Sequence, residues 1–246
     1  MRDLRQRCPW DTAQTPQTLR PYLVEEALEL DHAIAHEPAE LLTELGDVYL
    51  HVAFQIVLAE EAGKFGAEDL TRAVERKMWR RHPHLFPDKQ DGAPVQLERD
   101  TWERTKLSEH GDDPPSVLDG LPPTLPALLA AYRLQERAAG VGFDWPDAHG
   151  PLEKVREELA ELDSELDGGA PPDRVAGEIG DLLFAVVNLA RKLGCDPRAA
   201  LEDANAKFER RFRRIEALAA ERGVEMHSAG LDALDRLWDE AKSEES

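Results

Sequence analysis

The sequence predicts an all-α protein built as two tandem helical bundles, and three observations predict it. Apolar residues recur at helical spacing over long stretches. Leu, Ala, Glu and Arg are abundant, while no convincing run of alternating β-branched residues occurs. An acidic pattern is written twice in the same order: Glu25-Glu26-Ala-Leu-Glu29 with Glu44-Leu-Gly-Asp47, then Glu157-Glu158-Leu-Ala-Glu161 with Glu178-Ile-Gly-Asp181. Two further blocks keep that order. Lys77-Met-Trp-Arg80-Arg81-His82 answers Lys207-Phe-Glu-Arg210-Arg211-Phe212, and the Trp102–Lys106 spacing answers Trp238–Lys242. Four ordered matches indicate an internal duplication.

Taken in order, Cys8-Pro9-Trp10-Asp11 is expected to be irregular, with Thr15-Pro16 starting a helix to about His36. Its apolar stripe is Leu19, Tyr22, Leu23, Ala27, Leu30 and Ile34. Pro38 is expected to open a second helix to about Ala62, with Leu41, Leu42, Leu45, Val48, Tyr49 and Val52 inward. Gly63-Lys64-Phe65-Gly66 stops it. A third helix covers about 67–80, then a loop rich in Pro and His, then a short helix with Trp102 and Lys106. Pro114, Pro115, Pro122 and Pro123 mark a linker. The expected division is therefore a first helical domain over 1–108, a linker over 109–123 and a second domain over 124–246. In the second, helices are expected at about 125–139, 150–167, 174–193, 197–222 and 231–243. The Gly142-Phe143-Asp144-Trp145 loop precedes the acidic hairpin, as Trp10-Asp11 does in the first half.

Residues three apart share a helix face, so Glu158 projects with Glu161 and Glu178 with Asp181. An antiparallel hairpin across Gly168-Gly169-Ala-Pro171-Pro172 makes four carboxylates converge. Such a cluster requires a cation, protonation or splaying. Oxygen ligands without Cys or His favour Mg²⁺, with Mn²⁺ as a substitute, over zinc. One isolated Glu-Glu-x-x-Glu is most simply a solvated face among 50 acidic residues; the duplicated pair inside apolar helices reads as a metal site rather than a solvated face. Lys207, Arg211 and Lys242 supply cations suited to a polyphosphate, whereas Arg210 reads as an ordinary surface charge. Trp10, Phe143, Trp145 and Trp238 are either core or platforms for a nucleobase.

Other chemistry is excluded or weak. Glu29-Leu-Asp-His32 has the spacing of a di-iron helix, but Ser164 stands at the matching place in the second half. His82-Pro83-His84 reads as a polar loop, and no P-loop motif occurs. A net charge of −20 argues against a nucleic-acid polymer or an anionic membrane as partner. Two distant cysteines, no visible signal peptide and no apolar run of membrane length point to the cytoplasm.

Together, Cys8-Pro9-Trp10-Asp11, the doubled acidic pattern, Arg80-Arg81-His82-Pro83-His84-Leu-Phe86, Gly142-Phe143-Asp144-Trp145 and Trp238-x-x-x-Lys242 resemble the MazG family, over nearly the whole chain. The resemblance implies an all-α nucleoside triphosphate pyrophosphohydrolase that is Mg²⁺-dependent and tolerant of the base. It also implies a homodimer in which helices of two protomers complete each bundle. Carried over by motif, the metal ligands are Glu158, Glu161, Glu178 and Asp181, with Glu26, Glu29, Glu44 and Asp47 as the repeat's counterparts. Substrate-binding positions are Lys207, Arg211, Trp238 and Lys242.

The halves differ. Asn205 replaces Glu75, and Asn188, Arg191 and Lys192 replace Phe54, Val57 and Leu58. The expectation is that the second half carries most of the turnover, with Asn205 added to its binding residues and Glu157 or Glu161 taking the proton from water. Two rivals stay open on sequence: a narrower dNTP or alarmone hydrolase, and a non-catalytic nucleotide-sensing dimer.

Overall fold

The computed structural model describes residues 1–82, 85–86 and 116–245. Among the described residues there are ten α-helices and no strand, so the all-α expectation holds. The predicted helix with Trp102 and Lys106, Pro83 and His84 of the His-Pro-His motif, and residues 109–115 of the Pro-rich linker lie outside them. The chain divides into two compact units, Met1–Glu98 and Arg99–Ser246.

In the first unit, α1 (Arg2–Arg7) and α2 (Pro9–Ala13) precede the long α3 (Pro16–His36) and α4 (Leu41–Glu61); α5 (Ala67–Arg81) follows. Thr15 caps α3 reciprocally: its hydroxyl accepts the Thr18 N–H at 3.2 Å, and the Thr18 hydroxyl accepts the Thr15 N–H at 2.9 Å. Helices α3 and α4 lie side by side, joined by Glu37–Glu40. The core between them gathers Leu19, Phe54 and Leu58, with Met1 against it.

The opening segment is helical rather than irregular. Helices of five and six residues are marginal alone; here tertiary contacts hold them. Arg2 pairs with Glu60 at 2.8 Å and Arg5 with Glu61 at 2.5 Å, both on α4. Arg5 also donates to the Thr12 carbonyl at 2.7 Å and lies 5.9 Å over the Phe54 ring. No propensity rule carries that information.

A second difference concerns α4. Leu42 is 83% exposed and Tyr49 74%, whereas the pattern expected both inward. The stretch from Val48 to Ala59 carries no charged Asp, Glu, Lys or Arg. With a mean hydropathy of 1.4, α4 is long and apolar enough to cross a membrane by length and composition, which corrects the expectation that no run approaches that length.

The second unit holds α6 (Ala127–Gly140), α7 (His149–Asp167), α8 (Pro172–Lys192), α9 (Pro197–Glu221) and α10 (Leu231–Glu244). Gly169, at φ +64°, supplies the left-handed turn between α7 and α8, where a Cβ is disfavoured. Asp196 caps α9 by accepting the Arg198 N–H at 2.8 Å. The main core lies between α9 and α10, from Ile215, Leu218, Ala219, Leu237 and Ala241, with Trp238 packed against it. Helix α6 docks on α8, where buried Gln135 donates to the Phe184 carbonyl at 2.8 Å.

The loop between α6 and α7 is tied down electrostatically. Asp144 accepts from Arg191 at 2.5 Å and from Lys192 at 3.0 Å. Burial of Asp144 opposes ionisation, but the two cations outweigh it and hold the carboxyl below its usual range. Asp144→Ala is expected to cost about 1–2 kcal/mol in urea unfolding, because Arg191 and Lys192 lose a shared acceptor at a largely desolvated position. A loss below the error of the fit would show the pairs to be worth no more than exposed ones.

Candidate active site and metal centre

Each long hairpin brings carboxylates from two helices to one point. In the second unit, Glu158 of α7 meets Glu178 and Asp181 of α8, one oxygen of each within 4.8 Å of the others. In the first, Glu26 of α3 meets Glu44 and Asp47 of α4 by the same measure. The local reason is the one expected: three-residue spacing on α4 and α8 aims both acids at one side, and the hairpin turns them toward the first helix.

The fourth predicted member stands apart in both units. Glu29 and Glu161 are exposed and outside the three-carboxylate groups. They remain close enough to act through charge. Glu178 is pushed above the usual carboxylate range by burial first, then by repulsion from Glu161, Asp181 and Glu158. Burial and repulsion from Glu29 and Asp47 likewise raise Glu26 and Glu44. Clusters of hard oxygens held against mutual repulsion have the donor chemistry of a Mg²⁺ or Mn²⁺ site. On this observation the residues fit the metal the resemblance implies.

Two neighbours of the clusters escaped the sequence reading. Lys154 donates to Glu158 at 2.6 Å and to Glu157 at 2.9 Å, and these contacts raise its own pKa. Glu158 is 5% exposed, so this ammonium is the counter-charge of a buried carboxylate. The i,i+4 spacing of Lys154 and Glu158 was the available signal. In the first unit, His51 Nε2 lies 3.9 Å from a Glu26 oxygen, and its ring stacks on Tyr22 with centroids 6.4 Å apart. His51 is four residues after Asp47, again a visible spacing.

The predicted nucleotide-binding residues form a second group. Arg211 lies 5.7 Å over the Trp238 ring, and Phe208 tilts against the same indole at 5.5 Å. Trp238 is half-buried against the α9–α10 core, so its role there is partly packing. Arg211 and Arg210 both bind Glu245, at 2.7 and 2.8 Å. Asn205 and Lys207 are exposed on α9, and Lys242 is exposed on α10. Glu157, proposed from sequence as a proton acceptor, is engaged by Lys154. Arg191 and Lys192, expected to meet an anionic ligand, instead hold Asp144, and Asn188 accepts from Arg191 at 3.0 Å. Phe143 is 79% exposed and Trp145 packs against Gly150, where a Cβ would fall 2.0 Å from the indole.

Comparison with known proteins places this geometry. The sequence profile of the MazG nucleotide pyrophosphohydrolase domain matches residues 14–86, the stretch that holds the first cluster. A nucleoside triphosphate pyrophosphohydrolase of Escherichia coli (strain K12) is 41% identical over 249 residues, covering all of this chain and 94% of that protein. The nucleoside triphosphate pyrophosphohydrolase/pyrophosphatase MazG of Thermotoga maritima is 42% identical over 236 residues, 96% of this chain and 89% of the relative. Bacillus subtilis YabN, named only as uncharacterized, is 43% identical over 242 residues but is matched over 49% of its length. With carboxylate clusters on both hairpins and near-full-length identity to two pyrophosphohydrolases, the chain belongs to the MazG nucleoside triphosphate pyrophosphohydrolase family.

Proposed function

We propose that the chain hydrolyses ribo- and deoxyribonucleoside triphosphates to the monophosphate and diphosphate, as a Mg²⁺-dependent enzyme with broad base tolerance. The observation that carries the reading is the meeting of Glu158, Glu178 and Asp181 within 4.8 Å in a chain of this family. Glu158, Glu161, Glu178 and Asp181 would hold the metal of the second half, and Glu26, Glu29, Glu44 and Asp47 that of the first. Bound there, Mg²⁺ or Mn²⁺ supplies charge stabilisation for a triphosphate and activation of water.

The chain's own residues do the rest. Lys207, Arg211 and Lys242 neutralise phosphate oxygens, and Asn205 adds a neutral donor. Trp238 offers a π-face, which every base accepts, and this supports breadth of substrate. Of the four proposed ligands Glu161 is the one a metal on Glu158, Glu178 and Asp181 would saturate least, which makes it a better proton acceptor than Glu157, already paired with Lys154. The second half is the main catalytic site on this reading, since Glu75 places an anion where the second half has Asn205.

The two compact units are read as tandem domains over 1–108 and 124–246, joined by the Pro-rich linker. Exposed Leu42, Leu45 and Tyr49 on α4, and Leu183 and Phe184 on α8, support a homodimer in which a second copy covers these faces. Free Cys8 and Cys195 agree with a reducing cytoplasm, and the acidic balance with small-molecule rather than nucleic-acid substrates.

The test is a turnover assay across NTPs and dNTPs with Mg²⁺, detecting phosphate with and without inorganic pyrophosphatase. Phosphate only in the coupled reaction is expected. Phosphate without coupling would replace this reaction by a phosphatase. Binding without turnover would make the protein a sensor, and one strongly preferred base would end the claim of breadth.

A further inference from the structure

The two carboxylate clusters are alike in their acids and unlike in what balances them. In the second unit an ammonium is paired with one member of the cluster: Lys154 Nζ is 2.6 Å from the buried Glu158 carboxylate and 2.9 Å from Glu157, which flanks it. Aligning Glu26 with Glu158 puts Tyr22 at the position of Lys154. Tyr22 brings no charge, and its ring is committed to aromatic contacts with Trp10 and His51. Among the described residues, the cationic partner of Glu26 is His51, whose Nε2 lies 3.9 Å away, beyond hydrogen-bond reach. Aligning Asp47 with Asp181 puts Ala185 at the position of His51, so the two halves share neither partner.

We propose that Lys154 is a tethered counter-cation that makes the two sites unequal toward metal: the first cluster takes a divalent cation unaided, and the second takes one only against its own ammonium. This rests on the reading above, that both clusters are metal sites. A divalent ion on Glu158 would share that buried carboxylate with Nζ, and two like charges a few ångströms apart repel, even though the ammonium itself is partly exposed. Occupancy therefore requires Lys154 to leave Glu158. The ammonium leaves readily only when another anion is present to receive it, so metal and polyanion binding are positively coupled in the second half. Among the described residues, no ammonium pairs with the first cluster to impose that condition. The lock sits on a two-contact lysine that is neither one of the proposed metal ligands nor on α8, so it can be altered without touching them.

Titrating the full chain with Mn²⁺ alone, and reading free Mn²⁺ by electron paramagnetic resonance, tests this. Nucleotide-free protein is expected to show one tight and one weak class of site. Asp47→Asn removes the tight class and Asp181→Asn the weak one. In the Asp47→Asn background, Lys154→Met raises the remaining affinity about tenfold or more, while Lys154→Arg, which keeps the charge, leaves it weak. The reciprocal variant Tyr22→Lys, at an exposed position, weakens the tight class. Unchanged or weaker Mn²⁺ binding in Lys154→Met, with Tyr22→Lys also silent, overturns the inference and leaves the metal sites standing. If neither Asp47→Asn nor Asp181→Asn alters Mn²⁺ binding, the carboxylate reading itself fails and the inference with it.

Discussion

Asp181→Asn and Glu158→Gln are each expected to lower kcat by roughly 100- to 1,000-fold, with helix content and melting behaviour retained. Each substitution keeps the side chain's size and removes one anionic oxygen donor from a group of three that lie within 4.8 Å. On the proposed reading, charge stabilisation of a triphosphate undergoing cleavage depends on that donor set, so the loss should appear in kcat rather than mainly in KM. Glu26→Gln and Asp47→Asn are expected to cost far less. Arg191 and Lys192 do not support that asymmetry, because Asp144 binds both. It rests on Asn205 in place of Glu75, since the cations and the Trp–Lys pair have counterparts in the first half. Equal losses in the two halves, measured by coupled diphosphate release, would remove the asymmetry. No loss in either would remove the proposed site.

Where local rules decide the structure, the sequence was sufficient. Thr15-Pro16 started α3 and Pro197 began α9 as the capping and proline rules require. Three-residue spacing on facing helices predicted both clusters, because a hairpin of two amphipathic helices leaves few other arrangements. What failed was long-range. The helicity of residues 2–13 depends on Glu60 and Glu61, more than fifty positions away. The partner of Arg191 lies 47 residues distant, so a basic residue that looks available for substrate is not distinguishable by sequence from one already paired. The apolar stripe of α4 is legible, but its direction is not, and Leu42 and Tyr49 face outward. A stripe states that a face must be covered, and says nothing of whether the same chain covers it.

Mg²⁺ is expected to raise the melting temperature more at pH 7.5 than at pH 5. The sign follows from the carboxylates. Glu26, Glu44 and Glu178 each have a folded-state pKa raised above 4.5, with desolvation the first cause and neighbouring acids the next. The folded state therefore holds their protons more firmly than the unfolded chain does. Their contribution favours folding at low pH and is lost as pH rises through the raised values. At pH 7.5 the metal-free protein carries the repulsion in full, and a divalent cation relieves it. Near pH 5 protons relieve part of it already and compete with the metal for the same oxygens. A ligand present at a hundred times its dissociation constant stabilises the folded state by about 2.7 kcal/mol, which sets the scale at the higher pH. Glu60, Glu61, Asp144, Glu244 and Glu245 behave oppositely, since ion pairs lower their pKa values and their stabilisation fades as pH falls. Those groups take no part in either carboxylate cluster, so taking the difference with and without Mg²⁺ at each pH cancels them. An equal increment at both pH values would mean that the raised carboxyls are not the groups the cation meets.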